Sequence, residues 1–150
     1  MPCFKPPKSS IHLIVRAFLT NDEEVVLCRV KGKEWFFLPG GHIENGESVK
    51  AALVRELCEE IGEDSYKVSS FLGACENIFS LGENISQQEI NLVFKVDLPK
   101  NFKTRTKEND IEFVKFEKRE LGGLKILHAA LKDGLLEWEK SKRTFFKEIS

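Results

Sequence analysis

Leu38-Pro39-Gly40-Gly41-His42-Ile43-Glu44-Asn45-Gly46-Glu47, running on through Arg55-Glu56-Leu57-Cys58-Glu59-Glu60-Ile61-Gly62, joins a glycine-rich turn to a helix with a strongly acidic side. At about 100° per residue, Glu56, Glu59 and Glu60 fall within an arc of roughly 100°. Leu53, Val54, Leu57, Cys58 and Ile61 gather on the neighbouring arc and are expected to face a core. Like charges three or four residues apart on a helix repel by a few tenths of a kcal/mol per pair. A hard divalent cation with oxygen ligands is the natural compensation, and Mg²⁺ works through a few carboxylates plus substrate phosphates. Ser48 is the expected N-cap of this helix and Gly62 its C-terminal stop.

The spacing resembles the signature of the Nudix hydrolases. That pattern asks for a glycine (Gly41), a glutamate (Glu47), an Arg-Glu pair (Arg55-Glu56), a bulky apolar residue (Leu57), two adjacent glutamates (Glu59-Glu60) and a closing glycine (Gly62). All stand in register. Glu63 departs, where the family prefers an apolar residue, and this bears on the packing of the helix exit rather than on the chemistry. So many fixed positions at fixed spacing make a specific motif.

Outward from the box, Ile11 to Leu19 alternates apolar residues on one face, with His12, Ile14, Arg16 and Phe18 on the other, so both sides of this strand are expected to be covered. Asn21-Asp22-Glu23 is a turn into a second strand, Val25 to Val30, completing a hairpin. Trp35-Phe36-Phe37-Leu38 reads as a short aromatic strand delivering Pro39-Gly40-Gly41. Beyond the helix, Tyr66 to Phe79 is extended, with Val68, Phe71, Leu72 and Ala74 as expected core, and Ser80 to Asn84 is a loop. Glu89 to Leu98 and Ile111 to Phe116 are strands, separated by a polar, basic loop. From Leu121 the chain is expected to turn helical, with Leu124, Leu127, His128, Leu131 and Leu135 as a stripe and His128 as a core histidine. Phe145 and Phe146 either cover a sheet edge or join a homodimer. Strands, one helix, more strands and a terminal helix suggest an α/β chain with a mixed sheet between helices. The resemblance implies the same, a Nudix-type α/β/α sandwich with a central mixed β-sheet. Residues 1–9, with three prolines, read as a flexible lead-in, and 10–150 as one domain.

Hydrophobic residues at 41% and charged residues at 31% suit a soluble globular chain. No apolar run approaches the roughly 20 residues that span a bilayer, so no membrane partner is expected. The first residues lack an apolar signal core, and Cys3, Cys28, Cys58 and Cys75 form no C-x-x-C pair, which together point to a reducing, cytoplasmic setting. A formal net charge of −1 argues against a broad nucleic-acid footprint, leaving an RNA 5′ end as the exception.

The resemblance implies a site residue by residue. Glu56, Glu59 and Glu60, with the Gly40 carbonyl, would hold Mg²⁺, with Mn²⁺ as the alternative. Arg55 and Glu47 would form a scaffold pair that fixes carboxylate rotamers. Glu56, Glu60 or a distal glutamate would activate water; Glu108 is the first choice for the distal group, then Glu112 and Glu89. Substrate-facing candidates are Arg16 and His42 for phosphate, Gly41 for close main-chain approach, and Trp35 and Phe79 among the aromatics. The expected activity is divalent-metal-dependent hydrolysis of a phosphoanhydride bond in a nucleoside diphosphate linked to another moiety, such as a nucleoside triphosphate or nucleotide sugar. A non-catalytic nucleotide-binding module and an RNA 5′-end pyrophosphohydrolase are the alternatives. The proline and tyrosine associated with ADP-ribose and diadenosine polyphosphate substrates are both missing from Asn77-Ile78-Phe79-Ser80.

Overall fold

The computed structural model describes residues 10–62, 66–83, 85–103 and 110–149. Strand β1 (Ser10–Thr20) is the central element. Its apolar residues occupy both faces, and a strand covered on both sides belongs inside a sheet. Along one edge it runs parallel to β5 (Ile85–Asp97) over its whole length. The other edge is shared. Strand β2 (Glu24–Val30) pairs antiparallel at Leu19 and Thr20, and the short β3 (Gly40–His42) pairs antiparallel at Ile14, Val15 and Arg16.

The seven-stranded mixed sheet has the order β6-β2-β1-β5-β4-β7, with β3 attached to β1. Strands β4 (Val68–Gly82), β6 (Ile111–Glu117) and β7 (Phe145–Ile149) complete it. Helix α1 (Val49–Ile61) packs Ala52, Leu53, Leu57 and Ile61 against Val15, Ala17, Leu19, Val26 and Cys28. Helix α2 (Ala129–Ser141) packs Leu131, Leu135 and Trp138 in a second cluster with Phe18, Val25, Leu27 and Phe36. The alternation along β1 divides its side chains between these two cores, giving the expected layered sandwich.

Several local expectations need correction. Trp35 to Leu38 is not a strand: Phe37 and Phe36 make isolated bridges to Cys28 and Ile126, and the strand lies at Gly40–His42. Phe71 is exposed rather than core, because register shifts on both sides of it turn its side chain outward. Ser80 and Gly82 belong to β4, which continues into a hairpin with β5. The leucine stripe is not one helix. Lys118–Gly123 is a 3₁₀ turn, Leu124 and Leu127 lie between it and α2, and His128 is the N-cap of α2, half-buried rather than core. Phe145 is buried in the α2 core and Phe146 is exposed, with their strand pairing along β4.

Candidate active site

Helix α1 begins and ends as its sequence dictates. The Ser48 hydroxyl accepts from the Ala51 N–H at 3.1 Å, and Gly62, in the left-handed region at φ 93°, donates its N–H to the Cys58 carbonyl. Fixed at both ends and packed along Leu53, Leu57 and Ile61, the helix presents its acidic side to the β3 turn.

That turn needs its glycines. Gly40 has φ 146°, and a Cβ there would collide with the Val15 carbonyl on the paired strand. A Cβ on Gly41 would collide with the Glu56 carboxylate, so the turn and the first box glutamate are in direct apposition. The Ala17 N–H donates to the Pro39 carbonyl at 2.8 Å and holds the approach to the turn.

Arg55 organises the carboxylates. Its Nε and Nη2 donate to the two oxygens of Glu47 at 3.0 and 2.7 Å, and Nη2 also donates to the His42 carbonyl at 3.0 Å. Nη1 donates to Glu56 at 3.0 Å and to Glu59 at 3.4 Å. Glu47 further accepts from the Glu44 N–H at 2.8 Å. The Arg55 hydrogen bonds, then that backbone bond, hold the Glu47 carboxyl down to about 2, and the bonds to Glu47 and then Glu56 push the Arg55 guanidinium above its ordinary value against its partial burial.

The donor set fits a hard divalent ion in kind, since Glu56, Glu59, Glu60 and the Gly40 carbonyl offer oxygen alone. Among the described residues no three His, Cys, Asp or Glu side chains converge on one point, and Glu56 and Glu59 are drawn to Arg55 instead. Glu60 is half-buried and, of the neighbouring charges, most strongly favours the charged form of Arg16.

Arg16 is half-buried on β1. Its Nη1 donates to the Leu38 carbonyl at 3.1 Å and its Nε to Asn91 Oδ1 at 3.4 Å. Burial lowers its pKa, opposed by Glu60, Glu89 and Glu56 among other groups. It lines a cleft of about 270 Å³, together with Glu89, Asn91 and His128. The walls include Phe37, Leu127, Leu131 and Ile149.

His42 is exposed, its Nε2 lying 3.2 Å from His12 Nδ1. Trp35 is half-buried beneath the Lys33 ammonium, 5.4 Å from its ring centroid, and Phe79 is half-buried on β4 opposite Gln87. Neither aromatic lines the cleft. Glu112 accepts from Arg29 at 2.8 and 3.1 Å. Glu108 and Glu63, residues 104–109 of the basic loop and the lead-in at 1–9 lie outside the described residues. The cleft residues Asn91, His128 and Cys75 were missed by sequence reasoning. Asn91 had a signal: it stands on the face of β5 opposite the apolar alternation of Ile90, Leu92, Phe94 and Val96 yet is buried.

The NUDIX domain family model matches residues 10–138. Over 62 residues, 39% of this chain and 36% of the relative, the sequence is 42% identical to an ADP-ribose pyrophosphatase of Methanocaldococcus jannaschii. Over 49 residues, 33% of this chain and 31% of the relative, it is 37% identical to the uncharacterized Nudix hydrolase YvcI of Bacillus subtilis. The matched stretches span about a third of the length of these curated relatives. Among solved structures, a UDP-X diphosphatase aligns with TM-score 0.65 at 25% identity, covering 92% of this chain and 67% of that one. A MutT protein from Methanosarcina mazei Go1 aligns with TM-score 0.71 at 21% identity, covering 93% and 100%, a likeness of fold.

Proposed function

This chain belongs to the Nudix family, and from that premise we propose that it is a Mg²⁺-dependent pyrophosphohydrolase acting on a nucleoside diphosphate linked to another moiety. Mn²⁺ is the alternative ion. The observation that carries the reading is the Arg55 network: one guanidinium bonded to Glu47, Glu56, Glu59 and the His42 carbonyl, against a turn with no room for a side chain at Gly41.

A phosphoanhydride resists hydrolysis because its negative oxygens repel the nucleophile; a divalent ion held by Glu56, Glu59, Glu60 and the Gly40 carbonyl would neutralise that charge. The chain's own residues do the rest. Glu47 holds Arg55, and Arg55 sets the orientation of Glu56 and Glu59. Arg16 offers a desolvated cation between the acidic helix and the cleft, where a phosphate linkage would lie. Glu108 takes the proton from the attacking water in this scheme. The group beyond the diphosphate enters the cleft, and the setting is cytoplasmic, in keeping with four cysteines that form no C-x-x-C pair.

The test is a panel of nucleoside triphosphates, nucleotide sugars and 5′-triphosphorylated RNA with Mg²⁺ or Mn²⁺, with products identified. Cleavage of small nucleotides between phosphorus atoms supports the proposal. Cleavage confined to RNA favours the 5′-end reading, and saturable binding with no cleavage favours a binding module.

A further inference from the structure

The cleft has a polarity that the phosphoanhydride chemistry does not require. Two side chains of β5, Glu89 and Asn91, stand two residues apart on one face, where their partners across β1 are His12 and Ile14. Asn91 is buried, and its orientation is determined by its neighbour. Arg16 has donors only, so the amide must turn Oδ1 toward it, which leaves the Asn91 NH₂ to donate elsewhere. Glu89 is half-buried, and no donor among the described residues reaches its carboxylate. The cleft therefore offers, side by side, an anionic acceptor and a neutral donor, between apolar walls that include Leu127, Leu131 and Phe37.

From this arrangement, and resting on the function proposed above, we propose that the cleft selects a guanine-type base. At about 270 Å³ it has room for one heterocycle rather than a second nucleotide, since ligand pockets run from roughly 300 Å³ upward. The apolar walls suit the faces of a planar ring. The edge it presents to β5 must carry donors for Glu89 and an acceptor for the Asn91 amide. Guanine has both: adjacent N1–H and N2–H groups for a two-point, charge-assisted bond to the carboxylate, and O6 for the amide. Hypoxanthine keeps N1–H and O6 but lacks the amine. Adenine offers one amino group, and xanthine brings a carbonyl to the carboxylate, leaving that charge desolvated without its second donor.

The experiment is calorimetric binding of GMP, IMP, AMP and XMP, without divalent cation, to the wild type and to the near-isosteric Glu89→Gln. The wild type should bind GMP most tightly and XMP least. Glu89→Gln should weaken GMP by roughly ten- to a hundredfold and narrow the GMP-to-XMP ratio. Equal wild-type affinities, or a ratio that survives Glu89→Gln, would overturn the assignment; if the variant does not fold, the wild-type order alone decides. The two proposals fail separately. Hydrolysis of the panel without base preference removes this one and leaves the activity, whereas Glu89-dependent GMP binding without hydrolysis does the reverse.

Discussion

Arg55 and Glu47, eight positions apart in the chain, are joined by two hydrogen bonds to the two carboxylate oxygens, Nε at 3.0 Å and Nη2 at 2.7 Å. A fork of this kind fixes direction as well as charge, so Arg55 reaches Glu56 and Glu59 from a set position. Arg55→Lys should keep the fold and the positive charge but lose the fork. We expect kcat/KM to fall by about a hundredfold, as for a misplacement near 1 Å. Steady-state kinetics on whichever nucleotide is cleaved measures it, and an unchanged kcat/KM contradicts the role.

The same pair gives a pH dependence of defined sign. The folded Glu47 carboxyl is depressed to about 2 from 4.5, so its ionisation favours the folded state above pH 4.5, and that contribution is lost as pH falls through 4.5 toward 2. The stability difference between wild type and Glu47→Gln, followed by urea unfolding, should be level above pH 5 and shrink below pH 4.5. A difference that grows on acidification contradicts the assignment.

Gly41→Ala should separate folding from activity. The added methyl meets the Glu56 carboxylate, the end of a side chain, rather than a strand or core ring. The thermal midpoint should move by only a few degrees while turnover falls by about two orders of magnitude. A normal rate in a folded variant would place Glu56 elsewhere.

Gly134→Ala addresses the fold instead. Its methyl would enter the Phe145 ring, which is seated between α2 and β4 against both Gly134 and Gly73. Overpacking there should cost about 1–3 kcal/mol, read from urea unfolding, despite the better helix propensity of alanine. A stabilised variant would mean that β7 gives way at little cost.

What the sequence made readable was the part whose physics is local. Ser48 and Gly62 announce the ends of α1, the acidic arc is a matter of helical period, and Gly40-Gly41 marks a turn closed to side chains. Strand β1 and the part of β5 from Glu89 onward followed from alternation, whereas the Ile85–Gln88 start of β5 did not. What escaped depends on partners distant in the chain. Phe71 is turned out by bulges that no spacing foretells, and Leu124 and Leu127 keep a helical interval without a helix, lying in the segment between the 3₁₀ turn and α2. The cleft needs Arg16 from β1, Asn91 from β5 and His128 from the start of α2, assembled only by the parallel pairing of β1 with β5 and the return of α2 over the sheet.

The most direct measurement is ³¹P NMR of the cleaved nucleotide with Mg²⁺, comparing wild type with Glu56→Gln and Glu60→Gln after circular dichroism has shown all three folded. The account predicts Mg²⁺-dependent splitting between phosphorus atoms by the wild type and a loss of several orders of magnitude in both variants. Near-normal turnover by either folded variant, or wild-type turnover indifferent to chelation, would contradict it.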